Sequence, residues 1–273
     1  MDNIIETALY VVATPIGNLN DITLRALDIL KNVDVIAAED TRNTSVLLDK
    51  YSITTRLISY HKYSENSRVE LFLDYLNQGK SIALVSDAGT PLISDPGAIL
   101  VESVREQGFK VIPIVGASAV IGLLSAIPRI DEDFKFIGFL PKSEKQILEL
   151  VEKNQHENLI FYESPNRLLE TLETIAKTYP NKKVAIGREL TKKFEEIKVD
   201  NILNIINYYK NNVLKGELAC MLYKSENNSM DFDLDIQIKK LKKLNLKDKE
   251  ISSILASLYD LNKNSIYKKC LEL

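Results

Sequence analysis

Small, polar and acidic residues gather at residues 85–97, and their types favour the binding of a ligand. The apolar run before them, residues 81–85, is typical of a strand that is buried on both faces. The stretch is therefore expected at the carboxyl end of a strand, which is where open α/β sheets bind ligands. Gly89 would let a ligand approach the backbone closely, while Asp87 and Thr90 could hold its polar groups. The alternative is a tight connection that needs its glycines and prolines only for shape, with Asp87 serving an Asx turn.

Strands and helices are predicted to alternate on both sides of this stretch. A polar residue is expected to cap the helices: Asp21 for the first one, and Asp95, with the proline after it, for one that starts near Ala98. The alternation continues to about Ile127, which predicts a parallel α/β sheet with right-handed crossovers. Apolar strands of this half are predicted at residues 8–13, 34–38, 56–60, 81–85 and 110–115.

A linker is predicted at residues 128–133, because this segment has a proline and charges but no periodicity. The strands that follow are separated by one helix or by turns, which predicts a mixed sheet. Residues 225–229 are predicted to form a second linker. Strands of this half are predicted at residues 134–139, 158–162, 182–187, 194–199 and 217–223.

The segment 231–273 has a helical pattern throughout. Three short helices with a central turn would resemble a helix-turn-helix unit. The segment is rich in lysine, which indicates either a solvated helix face or a contact with nucleic acid. Its core is predicted to contain Leu241, Leu244, Ile251, Ile254, Leu255 and Leu258.

Composition limits the class of protein. The chain has 273 residues and a net charge of −3, which argues against indiscriminate binding of nucleic acid, so any basic surface must be local. With two cysteines and two histidines, a disulfide framework is excluded and no metal site is expected. No apolar run approaches the length of a membrane span, and the first residues lack the features of a signal peptide. We therefore expect a reduced, cytoplasmic protein without a membrane partner.

Six motifs occur in order along the chain, at residues 14–19, 38–42, 86–97, 161–167, 188–192 and 215–217. Together they resemble the bacterial ribosomal RNA small-subunit methyltransferase I family. This family belongs to the tetrapyrrole-methylase superfamily, the class III enzymes that use S-adenosylmethionine. The resemblance covers essentially the whole chain, including the helical tail, and six motifs in register argue against chance.

The resemblance implies an α/β fold with two α/β domains of the tetrapyrrole-methylase type, residues 1–128 and 129–226, and S-adenosylmethionine in the cleft between them. A small helical, helix-turn-helix-like domain would follow at residues 230–273. The implied reaction is transfer of a methyl group to the ribose 2′-hydroxyl of a cytidine near the decoding centre of 16S rRNA, in the small ribosomal subunit. A homodimer is also implied.

Superfamily roles, carried over to the matching positions, give cofactor-binding residues in both domains. One position departs from the family, because Gly187 stands where members often carry alanine, and this keeps the position small. The implied cofactor-binding residues are Ile16, Gly17, Asp87, Gly89, Thr90, Pro91, Ile93, Ala117, Ser118, Tyr162, Gly187, Arg188, Leu190, Gly216 and Glu217.

Methyl transfer to an alcohol depends mainly on alignment of the reacting atoms, and a base that accepts the hydroxyl proton would add to it. The candidates for this base are Glu39, Asp40, His61 and Lys192, which all stand at predicted strand ends. A helix cap for Asp40 and an ion pair for Glu39 are the structural alternatives. RNA phosphates are expected to contact Arg42, His61, Lys193, Lys242 and Lys243. The alternative is surface ion pairing for Arg42 and Lys193, and a solvated helix face for Lys242 and Lys243.

Two other functions stay open. The first is methylation of a tetrapyrrole or another small molecule, against which the helical tail and the motif at residues 38–42 argue. The second is a non-catalytic role in RNA binding and assembly. The first strand carries no acidic-GxGxG fingerprint, which argues against a Rossmann-type methyltransferase or a dinucleotide oxidoreductase.

Overall fold

A computed structural model describes residues 5–61, 65–128, 133–225, 234–244, 246–259 and 261–273. The chain divides into two compact units, residues 1–224 and residues 225–273. The predicted linkers at residues 128–133 and 225–229 fall mostly outside the described ranges.

The first half of the larger unit is a sheet whose strands alternate with helices. Its elements are, in chain order, β1 (Ala8–Val12), a 3₁₀ helix (Leu19–Asp21), α1 (Leu24–Asn32), β2 (Val35–Ala38), α2 (Thr41–Lys50), β3 (Leu57–Ser59), α3 (Glu65–Asn77), β4 (Ile82–Val85), α4 (Ala98–Glu106), β5 (Lys110–Ile114) and α5 (Ala119–Ser125). The strand order is β3-β2-β4-β1-β5, and each of these pairings is parallel, which confirms the predicted parallel sheet.

Helices cover both faces of this sheet. Alternate residues of a strand point to opposite faces, so Leu9 and Tyr10 of β1 belong to different hydrophobic clusters. The cluster around Tyr10 includes Leu30 of α1, and the cluster around Leu9 includes Phe72 of α3 and Leu100 of α4. This burial on both faces explains the continuous apolar runs of β2 and β4.

Two predicted helix caps are wrong, and the reason is local. Thr23, not Asp21, caps α1, because its side chain accepts a hydrogen bond from the N–H of Ala26. Gly97, not Asp95, precedes α4, with a φ of 136° and no side-chain cap. The carboxylate of Asp95 therefore does not cap α4, and it lies instead in the wall of a cavity.

The second half of the larger unit forms a mixed sheet, as predicted. Its elements are β6 (Phe134–Phe139), α6 (Glu144–Lys153), β7 (Asn158–Glu163), α7 (Pro165–Thr178), β8 (Lys183–Arg188), β9 (Glu196–Asn201), α8 (Ile202–Lys210) and β10 (Leu218–Leu222). The strand order is β6-β7-β10-β8-β9. Only the pairing of β6 with β7 is parallel among these four, and the strand that comes last in the chain lies at the centre.

The smaller unit contains the helices α9 (Leu234–Lys242), α10 (Asp248–Tyr259) and α11 (Lys263–Glu272). The predicted core residues Ile251 and Leu255 are buried, whereas Leu244 and Leu258 are 70% and 68% exposed. Leu244 follows the end of α9 and Leu258 lies in the last turn of α10, so the core ends before them. None of the described helices has the length and apolar character that crossing a lipid bilayer requires. The buried core of this unit contains Ile238, Ile251, Leu255, Ile266 and Cys270.

Candidate active site

A cavity of about 360 Å³ lies where loops of the two sheets of the larger unit meet. Its walls come from the carboxyl ends of β1, β4, β6, β7 and β8, from the start of α5, and from the start of β10. The start of β10 reaches the same edge because β10 runs antiparallel to β7 and β8. The volume is typical of a small-molecule site.

Most of the predicted cofactor-binding residues line this cavity. Those that line it are Ile16, Gly89, Thr90, Ile93, Ser118, Tyr162, Gly187, Leu190, Gly216 and Glu217. Those that do not line it are Gly17, Asp87, Pro91, Ala117 and Arg188. Three further lining residues, Ala88, Ser94 and Asp95, lie within the stretch 85–97 that is expected to bind a ligand. Lining residues outside that stretch and outside the predicted set are Ala119, Phe139, Glu163, Ser164, Pro165, Leu218 and Ala219. Ala119, Glu163 and Leu218 each directly follow a predicted residue, and this adjacency is the sequence signal that could have identified them.

Gly89 ties the first two cavity loops together. It exchanges backbone hydrogen bonds with Thr14, at N···O distances of 2.8 and 3.0 Å, and its φ of 79° lies in the left-handed region that favours glycine. A Cβ here would lie 3.4 Å from Cγ2 of Ile16, which also lines the cavity. Thr90 joins the third loop, because its hydroxyl donates to the carbonyl of Ala117 at 3.2 Å.

An ion-pair network shapes the loop after β8. Nζ of Lys192 lies 2.9 Å from Oε1 of Glu189 and 2.8 Å from Oε2 of Glu217. Glu189 also accepts from the N–H of Glu217 at 3.0 Å, and both Glu189 and Thr191 have positive φ values, 51° and 67°. Burial lowers the pKa of Lys192, but its bonds to Glu217 and Glu189 outweigh this and raise it. The ammonium therefore stays protonated and is a poor proton acceptor.

The same loop contacts the first sheet's loops. The hydroxyl of Thr191 accepts from the N–H of Asn18 at 3.1 Å. A Cβ on Gly17 would lie only 2.4 Å from Cγ of Lys192. Gly17 therefore gives close packing between the two loops, which is a different role from the predicted contact with a cofactor.

Asp40 and Arg42 satisfy each other at the start of α2. Asp40 caps the helix through the N–H of Arg42 at 2.9 Å, and the Arg42 guanidinium donates to both of its oxygens, the shortest distance being 2.6 Å. These side-chain and backbone hydrogen bonds from Arg42 lower the pKa of Asp40 to about 2. Asp40 is thus ionised at neutral pH and holds protons weakly.

Asp87 holds the end of β2 against the loop after β4. Its carboxylate accepts from the N–H of Asp40 and from Nδ2 of Asn43, both at 3.1 Å. Its own N–H donates to Oε2 of Glu39 at 3.4 Å. These contacts give Asp87 a structural role, but they join it to the residues after β2 and not to its own turn, so they differ from the Asx turn given as the alternative.

Glu39 and Asp95 are half-buried carboxylates in one acidic neighbourhood. Burial raises the pKa of Glu39, and the nearby charges of Asp95 and Asp87 raise it further. Burial also raises the pKa of Asp95, although Ser86 donates a hydrogen bond to it. Asp95 lines the cavity, and its charge acts on Glu39, which is not itself a lining residue. The raised pKa makes Glu39 a better proton acceptor than an ordinary carboxylate. Within the described ranges, no group of three or more His, Cys, Asp or Glu side chains is arranged to hold a metal ion.

The predicted RNA-binding residues differ in what they contact. The Arg42 side chain is 88% exposed, His61 and Lys243 are exposed, and Lys193 lies over the Phe194 ring at 5.5 Å. Lys242 is held within the smaller unit, because Nζ donates to the Cys270 carbonyl at 2.6 Å and lies 3.2 Å from Asp248. These contacts indicate a structural role for Lys242.

Comparisons with known proteins identify the family that this chain resembles. Residues 8–205 match the family described as Tetrapyrrole (Corrin/Porphyrin) Methylases. The chain is 45% identical over 226 residues to Ribosomal RNA small subunit methyltransferase I of Bacillus subtilis (strain 168), covering 82% of this chain and 77% of that protein. It is 41% identical over 274 residues to the protein of the same name from Pasteurella multocida (strain Pm70), covering 97% and 96%.

Solved structures share the fold at low sequence identity. A diphthine synthase aligns with a TM-score of 0.65 and 14% identity, covering 80% of this chain and 90% of that chain. The cobalt precorrin-4 methyltransferase CbiF aligns with a TM-score of 0.59 and 16% identity, covering 80% and 95%.

Proposed function

This chain belongs to the ribosomal RNA small subunit methyltransferase I family of the tetrapyrrole methylases, and we propose that it methylates RNA of the small ribosomal subunit with S-adenosylmethionine. The observation that carries the proposal is the 41% identity over 97% of the chain to a relative with that name. Our more specific proposal is that the acceptor is the ribose 2′-hydroxyl of a cytidine near the decoding centre of 16S rRNA.

The residues of the cavity suit the cofactor. When bound, S-adenosylmethionine supplies a methyl group on a positively charged sulfonium, and its sulfur becomes a neutral thioether. The rings of Tyr162 and Phe139 and the side chain of Leu190 offer apolar and aromatic surface for an adenosine, and aromatic faces also attract a cation. Asp95 adds a carboxylate that favours a positive ligand, whereas the Glu217 carboxylate is already paired with Lys192. The left-handed backbone of Gly89 keeps one wall free of a side chain.

Glu39 is the proposed general base. A hydroxyl that accepts a methyl group must lose its proton, and a positioned carboxylate with a raised pKa can take it. Asp40 is a weaker base because its bonds to Arg42 lower its pKa to about 2, and Lys192 is held protonated by two glutamates. Among Glu39, Asp40 and Lys192, the directions of the pKa shifts therefore favour Glu39 as the base.

Binding of RNA is proposed for separate exposed cations. The net charge of −3 confines favourable contacts with phosphate to local patches, which Arg42 and Lys193 could supply in the larger unit and Lys243 in the smaller one. We also retain as proposals the domains 1–128, 129–226 and 230–273, a homodimer and a cytoplasmic location.

The first experiment measures transfer of labelled methyl from S-adenosylmethionine to small subunits that lack the modification, with nuclease mapping of the labelled nucleoside. A 2′-O-methylated cytidine supports both levels of the proposal. Label in another nucleotide overturns only the finer one. Transfer to uroporphyrinogen III but not to subunits would favour the small-molecule alternative, and RNA binding without cofactor binding in calorimetry would favour the non-catalytic one.

Glu39→Gln tests the base. Loss of a general base lowers kcat by about 10²- to 10⁴-fold, while cofactor binding measured by calorimetry stays close to that of the parent. Glu102→Gln makes the same chemical change on the exposed face of α4 and serves as the control. Equal kcat values for the two variants would refute the assignment.

Deletion of residues 231–273 tests the tail. Because residues 225–273 form a separate compact unit, the shortened chain should still bind the cofactor, and its affinity for RNA should fall more than its affinity for cofactor. Retention of both affinities would remove the tail from RNA recognition.

A further inference from the structure

The motif at residues 161–167 contains a buried carboxylate that the proposed reaction does not use. The Glu163 side chain is fully buried, and it lies at the end of β7 in the wall of the cavity. Oε1 accepts from the N–H of Ser164 at 2.8 Å, and Oε2 accepts from the hydroxyl of Thr171 at 2.9 Å. Buried polar atoms need such partners, because their desolvation is otherwise costly.

The third partner of Glu163 is Arg167, which lies in the first turn of α7. Nη1 of Arg167 lies 3.5 Å from Oε1 of Glu163. The guanidinium also donates to two carbonyls of the loop after β6, through Nη2 to Pro141 at 2.7 Å and through Nη1 to Leu140 at 3.4 Å. Arg167 thus ties the end of β6 to the end of β7, and Glu163 holds it in place.

The backbone that Arg167 holds carries a cavity residue. Phe139 is the last residue of β6, is 61% exposed and packs edge-on against Tyr162, with ring centroids 5.8 Å apart. The register of β6 with β7 shifts between Phe136 and Phe139, and Gly138 in between has a φ of 70°. An irregular strand end of this kind has fewer ladder hydrogen bonds to fix it.

We propose that Arg167, held by Glu163, is a positioning residue that fixes Phe139 against Tyr162 as the aromatic wall for S-adenosylmethionine. This inference deepens the proposed function and rests on it. Arg167 acts through two backbone carbonyls and needs no contact with the ligand. Lysine at this position would keep the positive charge near Glu163 but lacks the planar fork that reaches both carbonyls.

The chain has no tryptophan, so the Phe139→Trp variant carries a single reporter in the cavity wall. We expect Arg167→Lys, added to that variant, to shift the emission to longer wavelength and lower its anisotropy without any ligand. We also expect it to weaken binding of S-adenosylhomocysteine at least tenfold in a fluorescence titration. Tyr209→Phe is the control, because it removes a hydrogen bond to Glu196 in the same half of the chain. It should lower Tm and leave emission and affinity unchanged.

A cycle of Arg167→Lys and Phe139→Ala separates positioning from general destabilisation. Because Arg167 acts through Phe139, its substitution should weaken cofactor binding much less when Phe139 is already alanine. Additive losses of affinity would overturn the proposal. If Arg167→Lys does not fold, Thr171→Val removes one donor to Glu163 and should produce a smaller shift of emission in the same direction.

The outcomes distinguish this inference from the proposed function. Absence of cofactor binding by the parent chain in calorimetry refutes the proposed function. In that case the emission of the Phe139→Trp variant, measured without ligand, still tests whether Arg167 positions residue 139. Cofactor binding that is normal in the parent and unchanged by Arg167→Lys, with unchanged emission, overturns the inference alone.

Discussion

Replacing Gly216 by alanine is expected to destabilise the protein by about 3 kcal/mol, and the structure separates two causes. Gly216 has a φ of 96°, and holding alanine in a left-handed conformation costs about 1 kcal/mol. An added Cβ would also lie 2.3 Å from Oε1 of Glu189. The carboxylate must then leave its bonds to Lys192 and to the N–H of Glu217, a loss of about 2 kcal/mol after allowance for its partial exposure.

The assay is urea unfolding followed by circular dichroism, with Gly108→Ala as the matched control. Gly108 has a similar φ of 80°, but a Cβ there would meet nothing within 4 Å. Gly108→Ala should therefore show only the conformational cost of about 1 kcal/mol. In a Glu189→Ala background the displaced carboxylate is gone, and Gly216→Ala should then cost about the same as Gly108→Ala. Equal losses of stability for Gly216→Ala and Gly108→Ala in the parent would refute the reasoning.

Three further predictions follow from charge and burial. Asp95→Asn removes a negative charge that raises the pKa of Glu39. The acidic limb of the plot of kcat against pH, where Glu39 becomes protonated, should therefore move to lower pH. An unchanged midpoint of that limb would contradict this. Lys242→Met removes the contacts of Nζ with Cys270 and Asp248 and should lower the free energy of unfolding of the smaller unit by about 1 kcal/mol, which lowers its calorimetric Tm. Lys243→Met should leave Tm unchanged, and equal effects of the two substitutions would argue against a structural role for Lys242. Cys220 is fully buried with its thiol pKa raised by burial, so iodoacetamide should label it only in urea.

The cavity was predictable where local sequence signals identify strand ends. Gly89, Thr90 and Ser118 follow apolar runs that read as buried strands, and parallel strands bring such loops to one edge. The resemblance to a family added positions of the second sheet, such as Tyr162 and Gly187, which line the same cavity.

Other features depend on neighbours that are distant in the chain. Asp87 was expected to face a ligand, but β4 pairs with β2, and this brings the N–H of Asp40 and the amide of Asn43 to its carboxylate. Phe139 lines the cavity because β6 pairs with β7, which places Phe139 opposite Tyr162. No periodicity along the chain encodes which strands become neighbours, so these contacts could not be derived from local patterns.

The central position of β10 has a consequence for the order in which the protein can fold during synthesis. The strands of the first sheet are complete once residue 114 has been made, but β7 and β8 have no common neighbour until residues 218–222 follow. Until then both strands present an open edge, which is prone to pair with other chains. The same late segment supplies one wall of the cavity, so the cavity is complete only after the second sheet closes.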